Sequence, residues 1–301
     1  MSVLAITGGT GFVGGQLIDQ ALAAGHHVRA LTRRAQAPCD GVTWIEGSLE
    51  RSDGLARLVE GADAVVHVAG VVNAPDRAGF AAGNIDGTRA MVAAAEGAGR
   101  LRLIHVSSLA AREPELSAYG WSKREAERVV EDSGLAWTIV RPTGVYGPGD
   151  TELRDMFRMA RLGLALLPPP GRVSVIAVED LARLLLMLAV EGGPRTVFEV
   201  DDGSDGYSHA DLARAIGAAV GRRHVLALPL PRAVLAAGAR LDRLLRGPGA
   251  KLTPDRVGYL THPDWTADPA RRPPPSLWSP TVPTRDGLAA TARWYRAHGL
   301  L

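Results

Sequence analysis

The feature that most restricts what this chain can fold into stands at its start. An apolar run, Val3-Leu4-Ala5-Ile6, leads directly into Thr7-Gly8-Gly9-Thr10-Gly11-Phe12-Val13-Gly14. Val13, Leu17, Ile18, Ala21 and Leu22 then recur at helical spacing up to Gly25. A short, wholly apolar run reads as a strand buried on both faces, and the recurrence after it as a helix. Each glycine between them meets a separate need. Gly8 permits a tight turn, Gly11 lets the backbone approach a pyrophosphate, and Gly14 lets the helix pack closely on the strand. Amides at the helix start face any anion the loop admits, and the helix dipole adds to the attraction. The spacing is G-x-x-G-x-x-G, not the commoner G-x-G-x-x-G. Its position between strand and helix makes it a dinucleotide loop and not a plain turn.

The same alternation continues. Residues 28–31, 64–68, 103–106 and 137–140 are strand-like, with helical patterns over 52–59, 84–98 and 117–132. Nearly all-apolar strands separated by helices imply parallel strands covered on both faces. Right-handed crossovers then produce a doubly wound parallel Rossmann sheet. After about Gly149 the rhythm loosens. Helical stretches lie near 152–162, 178–190, 208–220 and 231–245, and strand candidates at 173–176 and 196–200. Residues 263–283 hold seven prolines and are expected to run as an extended surface loop. The expected fold class is α/β, with a smaller C-terminal α/β substrate lobe. Residues 1–149 form the dinucleotide-binding domain, completed by 177–201, and 150–301 are mainly the substrate lobe.

Composition excludes several classes. Lys+Arg 34 against Asp+Glu 32 leaves +2, too balanced to call for a nucleic-acid partner. A single cysteine, Cys39, excludes an internal disulfide and a cysteine-rich zinc site, and suits a reducing compartment. His67 and His105 lie on strands and read as core or cofactor-adjacent packing. No H-x-x-x-H or H-E-x-x-H spacing occurs, so no metal is expected. Asp201, Asp202 and Asp205 read as a surface turn and not a calcium loop. No apolar stretch is long enough for a transmembrane helix, and the glycine-punctuated start is unlike a signal peptide. A cytoplasmic protein with no integral membrane segment is expected.

Two further signals carry chemistry. The second strand ends Leu31-Thr32-Arg33-Arg34, where an acidic residue would accept from a ribose 2′-hydroxyl. Guanidinium suits a 2′-phosphate, so NADP(H) is preferred, with NAD(H) the alternative. Tyr119-Gly120-Trp121-Ser122-Lys123 places a phenol and an ammonium on one helical face. A nearby ammonium stabilises phenolate, so Tyr119 is expected to have a lowered pKa and to serve as general acid/base. Val106-Ser107-Ser108 precedes it, and a hydroxyl there can orient a carbonyl against Tyr119.

Six segments in order resemble the extended (atypical) short-chain dehydrogenase/reductase superfamily, the NAD-dependent epimerase/dehydratase family. They are Thr7-Gly8-x-x-Gly11-x-x-Gly14, His67-Val68-Ala69-Gly70, Asn84-x-x-Gly87-Thr88, Val106-Ser107-Ser108, Tyr119-x-x-x-Lys123 and Arg141-Pro142-x-x-Val145-Tyr146-Gly147-Pro148. The resemblance covers nearly the whole chain. It implies that Ser108 orients the substrate, Tyr119 moves the proton, and Lys123 binds the nicotinamide ribose and tunes Tyr119. It implies that Gly8, Thr10, Gly11, Phe12 and Val13 line the pyrophosphate and that Arg33 takes the adenosine 2′-phosphate. Ser48 and Leu49 would flank adenine, Ala69, Gly70 and Val71 would lie under the cofactor, and Pro142 and Thr143 would edge the nicotinamide. Asn84 matches a family asparagine whose part is tethering as much as catalysis. Family members also dimerise through a four-helix face, here helices 84–98 and 117–132.

Departures from the family bear on the substrate. Ser48 replaces an aspartate common beside adenine. Gly144 replaces the asparagine that nucleotide-sugar members carry. Leu109 and Ala110 follow Ser108 where sugar dehydratases need acids. Helix 231–246 alternates leucines with Arg232, Arg240, Arg243 and Arg246. It reads as a substrate-lobe helix whose apolar face lines the pocket, or else as a membrane-surface helix. Either favours an apolar substrate over a sugar. The expected activity is an NADP(H)-dependent oxidoreductase moving hydride between nicotinamide and the carbonyl or secondary alcohol of a small, apolar molecule. The alternatives are a cofactor-retaining epimerase and a non-catalytic NADP-binding accessory protein, similar to the short-chain-dehydrogenase-like subunit of respiratory complex I.

Overall fold

A computed structural model describes residues 1–99, 101–247, 250 and 252–301. The first stretch runs β1 (Val3–Thr7), α1 (Phe12–Ala23), β2 (His27–Thr32), β3 (Val42–Glu46), α2 (Ser52–Val59) and β4 (Ala64–His67). It continues with α3 (Arg77–Phe80), a π-helical turn (Ala81–Asp86), α4 (Gly87–Gly97), β5 (Arg102–Val106), α5 (Ala118–Glu131) and β6 (Trp137–Pro142). Next come β7 (Gly144–Tyr146), α6 (Arg154–Arg161), β8 (Leu164–Leu167), β9 (Arg172–Val173), β10 (Val175–Ala177), α7 (Val178–Val190) and β11 (Val197–Val200). The chain ends with β12 (Tyr207–Ser208), α8 (His209–Ala219), β13 (Leu226–Pro229), α9 (Arg232–Arg246), α10 (Pro254–Leu260), β14 (Asp264–Trp265) and α11 (Thr284–Ala297).

Seven strands form one sheet in the order β11-β6-β5-β4-β1-β2-β3, and every pairing from β3 through β6 is parallel. The chain leaves β1 toward β3, then returns to β1's other side at β4. The connections leaving the carboxyl ends of β1 and β4 therefore run to opposite sides, which opens the crevice where this doubly wound topology binds ligands. Buried apolar residues fill β1, β4 and β5, as expected for strands covered on both faces. Leu55 and Leu58 of α2, Met91 and Ala95 of α4 and Val130 of α5 pack with Val65, Leu103 and Ile139 in one cluster. Helices α1 and α7 meet where Gln20 Nε2 donates to the Glu179 carbonyl at 2.9 Å.

The chain divides into two compact units, Met1–Pro142 with Glu179–Glu199, and Thr143–Val178 with Val200–Leu301. The second unit carries small sheets, β10-β7, β12-β9-β14 and β13-β8. Its core gathers Tyr146, Phe157, Ile216, Leu288 and Tyr295. Phe157 meets Tyr295 edge-on at 5.1 Å, and the Tyr295 hydroxyl donates to Asp150 at 3.1 Å.

Several expectations change. Strand β3 was not expected, because it is an edge strand with only Ile45 buried and lacks a continuous apolar run. The proline-rich segment 263–283 is not merely a surface loop, since Trp265, Ala267 and Trp278 are buried and Trp265 Nε1 donates to the Tyr259 carbonyl at 2.9 Å. Asp201 is not a surface turn residue. It is buried, accepts from Ser174 Oγ at 2.9 Å and pairs with Arg272 at 2.7 Å. Helix α9 buries Ala239 while Val234, Leu241, Leu244 and Leu245 stand exposed, so its apolar stripe does not line a pocket.

Candidate active site

The site is built from the carboxyl ends of parallel strands, which share one edge of the sheet. Gly8 follows β1 with φ +74°, a conformation that glycine adopts without steric cost. A Cβ on Gly8 would stand 2.8 Å from the Ala69 amide nitrogen, and one on Gly14 would overlap the Gly8 carbonyl oxygen. The turn, the β4 end and α1 therefore approach as closely as backbone allows. Gly11 caps α1 without a side-chain hydrogen bond to its first amides. Thr10 and Gly11 are exposed at the tip, with Phe12 and Val13 half-buried behind them. A cradle that any Cβ would fill, backed by helix amides with no side-chain cap, fits a bound diphosphate.

A buried relay ties β1 to β4. The Ala69 amide donates to Thr7 Oγ1 at 3.1 Å, Thr7 Oγ1 meets His67 Nδ1 at 2.7 Å, and His67 Nε2 meets Thr88 Oγ1 at 3.1 Å. Each ring nitrogen of His67 thus has a hydroxyl partner that can donate or accept, which satisfies a neutral imidazole. Burial pushes His67 down to about 3, with the Lys123 charge adding to the effect. His105 stacks on His67 with centroids 5.4 Å apart and is held well below its usual range by burial, then by Lys123 and His67.

Asn84 lies in the π-helical turn and is buried. Its Oδ1 accepts from the Val71 amide at 2.7 Å, while its Nδ2 donates to the Val71 carbonyl at 3.0 Å and to Ser122 Oγ at 2.9 Å. It thus tethers the Ala69-Gly70-Val71 segment to α5. Helix α5 begins at a Ser117 cap that accepts from the Gly120 amide at 2.9 Å. A Cβ on Gly120 would lie 2.7 Å from the Ala110 carbonyl oxygen, so glycine lets α5 start hard against the turn after β5. That packing accommodates the short Ser108–Tyr119 interval.

The structure brings Ser108 and Tyr119 together, with Lys123 one helical turn further along α5. Ser108 Oγ accepts from the Ala110 amide at 3.2 Å and is hydrogen-bonded to the half-buried Tyr119 phenol. Lys123 is buried and donates to the Val106 carbonyl at 2.9 Å. A Cβ on Gly70 would lie 3.5 Å from Lys123 Nζ, which places the ammonium beside the β4 segment. Burial pulls Lys123 down to about 8, and the Glu127 carboxylate opposes the fall. Tyr119 corrects an expectation: burial raises its pKa, and the Ser108 hydrogen bond only partly offsets this. Desolvation disfavours the phenolate and outweighs the hydrogen bond from Ser108.

Arg33 is exposed beyond β2, and Ser48 and Leu49 follow β3 on the same sheet edge. The Leu49 side chain would be 2.7 Å from a Cβ on Gly87, so it packs against the start of α4. None of these three shares a hydrogen bond with the Ser108–Tyr119–Lys123 group among the described residues. Pro142 is buried at the end of β6. Thr143 opens the second unit, where its hydroxyl donates to the Val200 carbonyl at 3.1 Å.

Sequence reasoning missed the support beneath α5. Glu127 is fully buried and accepts from Ser107 Oγ at 2.6 Å and from Arg141 at 2.7 and 2.6 Å. Arg141 also reaches Glu199 at 3.3 Å, and Arg112 lies 3.5 Å from the same carboxylate. The only available signal was that Glu127 stands one helical turn after Lys123.

Comparison with known proteins gives a consistent result. A family model described as NAD(P)H-binding matches residues 8–187. The ceramide reductase of Caulobacter vibrioides is 36% identical over 312 residues, covering 99% of this chain and 96% of that protein. The 4-hydroxy-2-methyl-3-oxo-4-farnesyl-3,4-dihydroquinoline-1-oxide ketoreductase of Stigmatella aurantiaca is 30% identical over 66% of this chain and 68% of its own length. Among solved structures, the Bordetella bronchiseptica enzyme WbmG in complex with NAD and UDP superposes with TM-score 0.76 at 22% identity, over 100% of this chain and 96% of that one. At that identity the likeness speaks for the fold alone.

Proposed function

This chain belongs to the NAD(P)H-binding, extended short-chain dehydrogenase/reductase family, and from that premise we propose that it is an NADPH-dependent reductase of a carbonyl on an apolar, ceramide-like lipid. The observation that carries the reading is the Tyr119 phenol hydrogen-bonded to Ser108 one helical turn from a buried Lys123. Bound NADPH supplies the hydride. Gly8, Thr10, Gly11, Phe12 and Val13 would hold its pyrophosphate, Ser48 and Leu49 its adenine, and Ala69, Gly70 and Val71 its underside. Lys123 would hold the nicotinamide ribose, with Pro142 and Thr143 at the ring edge. The exposed Arg33 guanidinium favours a 2′-phosphate, and hence NADPH over NADH.

Ser108 orients the substrate oxygen and Tyr119 gives it a proton. A phenol raised above its ordinary pKa is fully protonated at neutral pH, which is the form a proton donor needs in the reductive direction. Lys123, held near 8, carries charge at neutral pH, the form that would bind the nicotinamide ribose. The relative named ceramide reductase, aligned over nearly the whole chain, supports a lipid substrate. Leu109 and Ala110 beside Ser108 bring no acid or base, which separates this site from sugar dehydration. The test is NADPH consumption by the purified chain with long-chain keto-amides and ketones. Turnover with at least one of them is expected, and Tyr119→Phe is expected to lower it by about 100-fold or more. Unchanged turnover in that variant would refute the proton role.

A further inference from the structure

Large apolar side chains that face water are concentrated in the second unit, which holds Leu162, Leu166, Leu226, Leu228, Val234, Leu241, Leu244 and Leu245. They are ordered. In α9, Val234, Ala237, Leu241, Leu244 and Leu245 recur at the spacing of one helical face. Val234 is 50% exposed, Leu241 56%, Leu244 81% and Leu245 74%. A helix at the surface of a globular protein turns such a stripe inward. This one buries Ala239 on its other side and turns the leucines out.

The strand that leads into α9 repeats the pattern. β13 pairs with β8 in parallel, with Leu226 opposite Leu164 and Leu228 opposite Leu166. Paired residues share a face, so the four leucines form one side of the ribbon. Ala165 and Leu167 are buried on the other side, while Leu226 is 60% exposed. Leu230 and Pro231 join the ribbon directly to α9.

Charge identifies the occupant. Residues 222–246 contain six arginines against one aspartate, a net of +5 in a chain whose total is +2. Arg246 pairs with Asp242 at 3.2 Å, whereas Arg232, Arg240 and Arg243 meet no carboxylate among the described residues. The segment has no Phe, Tyr or Trp, the side chains that anchor protein–protein contacts. A second copy would bring like charge against like charge. A leucine face on a helix that also carries four arginines, Arg240 at its flank, matches a layer that is apolar inside and anionic at its surface. Among the described residues no helix is long and apolar enough to cross a membrane, so the face would lie on a bilayer. We propose that α9 and the β8–β13 ribbon dock the protein on the surface of an anionic phospholipid membrane. This surface is independent of the carbonyl-reductase reading.

The test is co-sedimentation of the full chain with vesicles of phosphatidylcholine alone or containing about 30% phosphatidylglycerol. Binding to the anionic vesicles, weakening as salt is raised, is expected. The double variant Leu244→Glu/Leu245→Glu is expected to lower the partition more than about tenfold. Arg240→Gln and Arg243→Gln should each lower it about fivefold. All three alter exposed side chains, so unchanged circular dichroism and unchanged NADPH affinity establish that the fold is intact. Wild-type protein left in the supernatant with anionic vesicles would overturn the proposal. So would a Leu244→Glu/Leu245→Glu variant that binds like wild type, or a wild-type dimer that this variant turns into monomers, since a second copy would then cover the face.

Discussion

Replacing Lys123 by methionine should make the nucleotide-free protein more stable while disabling it. Lys123 is buried and stands at about 8 against an ordinary 10.5. One pKa unit corresponds to about 1.4 kcal/mol, so keeping the ammonium charged costs the folded state about 3 kcal/mol at pH 7. Methionine fills nearly the same space without charge but gives up the 2.9 Å bond to the Val106 carbonyl. Losing a charged hydrogen bond costs about 1.5–2 kcal/mol. The net expectation at pH 7 is a variant about 1–2 kcal/mol more stable than wild type. The pH dependence has a definite sign. Between about 8 and 10.5 the unfolded chain binds a proton that the folded wild type has released, so wild-type stability rises with pH in that window. The advantage of Lys123→Met should therefore shrink as pH rises through it. Urea unfolding of nucleotide-free protein, followed by tryptophan fluorescence at pH 7 and pH 10, measures both quantities. A variant less stable than wild type at pH 7, or a gap that ignores pH, would refute the desolvation argument.

Two further outcomes follow from the same geometry. His67 is buried and its pKa is pulled down to about 3 against an ordinary 6.5, so its contribution is intact above 6.5 and is lost as pH falls toward 3. About 5 kcal/mol of stability should disappear across that interval, and His67→Gln should flatten this part of a urea-unfolding pH series. Arg33→Ala should weaken NADPH binding by about 10-fold or more and leave NADH binding nearly unchanged, as read by fluorescence titration. Equal losses for both nucleotides would remove Arg33 from 2′-phosphate recognition.

How much of this was legible in the sequence depended on how local each determinant is. The β1–loop–α1 unit was readable because strand, loop and helix are contiguous and Gly14 acts on Gly8, six residues away, whereas the close approach of Gly8 to Ala69 was not local. Tyr119 and Lys123 were readable because helical periodicity alone puts them on one face. Strand β3, Val-Thr-Trp-Ile-Glu, was not, because an edge strand with one buried residue leaves no apolar run to detect. The raised pKa of Tyr119 was not readable either. Spacing put an ammonium on the same helical face, but did not show that burial would dominate. Glu127 was invisible for a related reason: its partners Ser107 and Arg141 come from two other strand ends, and only the tertiary fold brings them to α5. The leucines of α9 were legible as an amphipathic stripe, with pocket lining and a membrane surface both open, since periodicity defines a face without saying what it meets.

Isotope transfer tests the central claim most directly. With NADPH deuterated at the reactive nicotinamide carbon, an accepted carbonyl substrate should gain one deuterium at its new carbinol carbon for each nucleotide oxidised. Substrate turnover with no net nucleotide oxidation, or an alcohol product free of deuterium from the labelled position, would contradict hydride delivery to a carbonyl held by Ser108 and Tyr119.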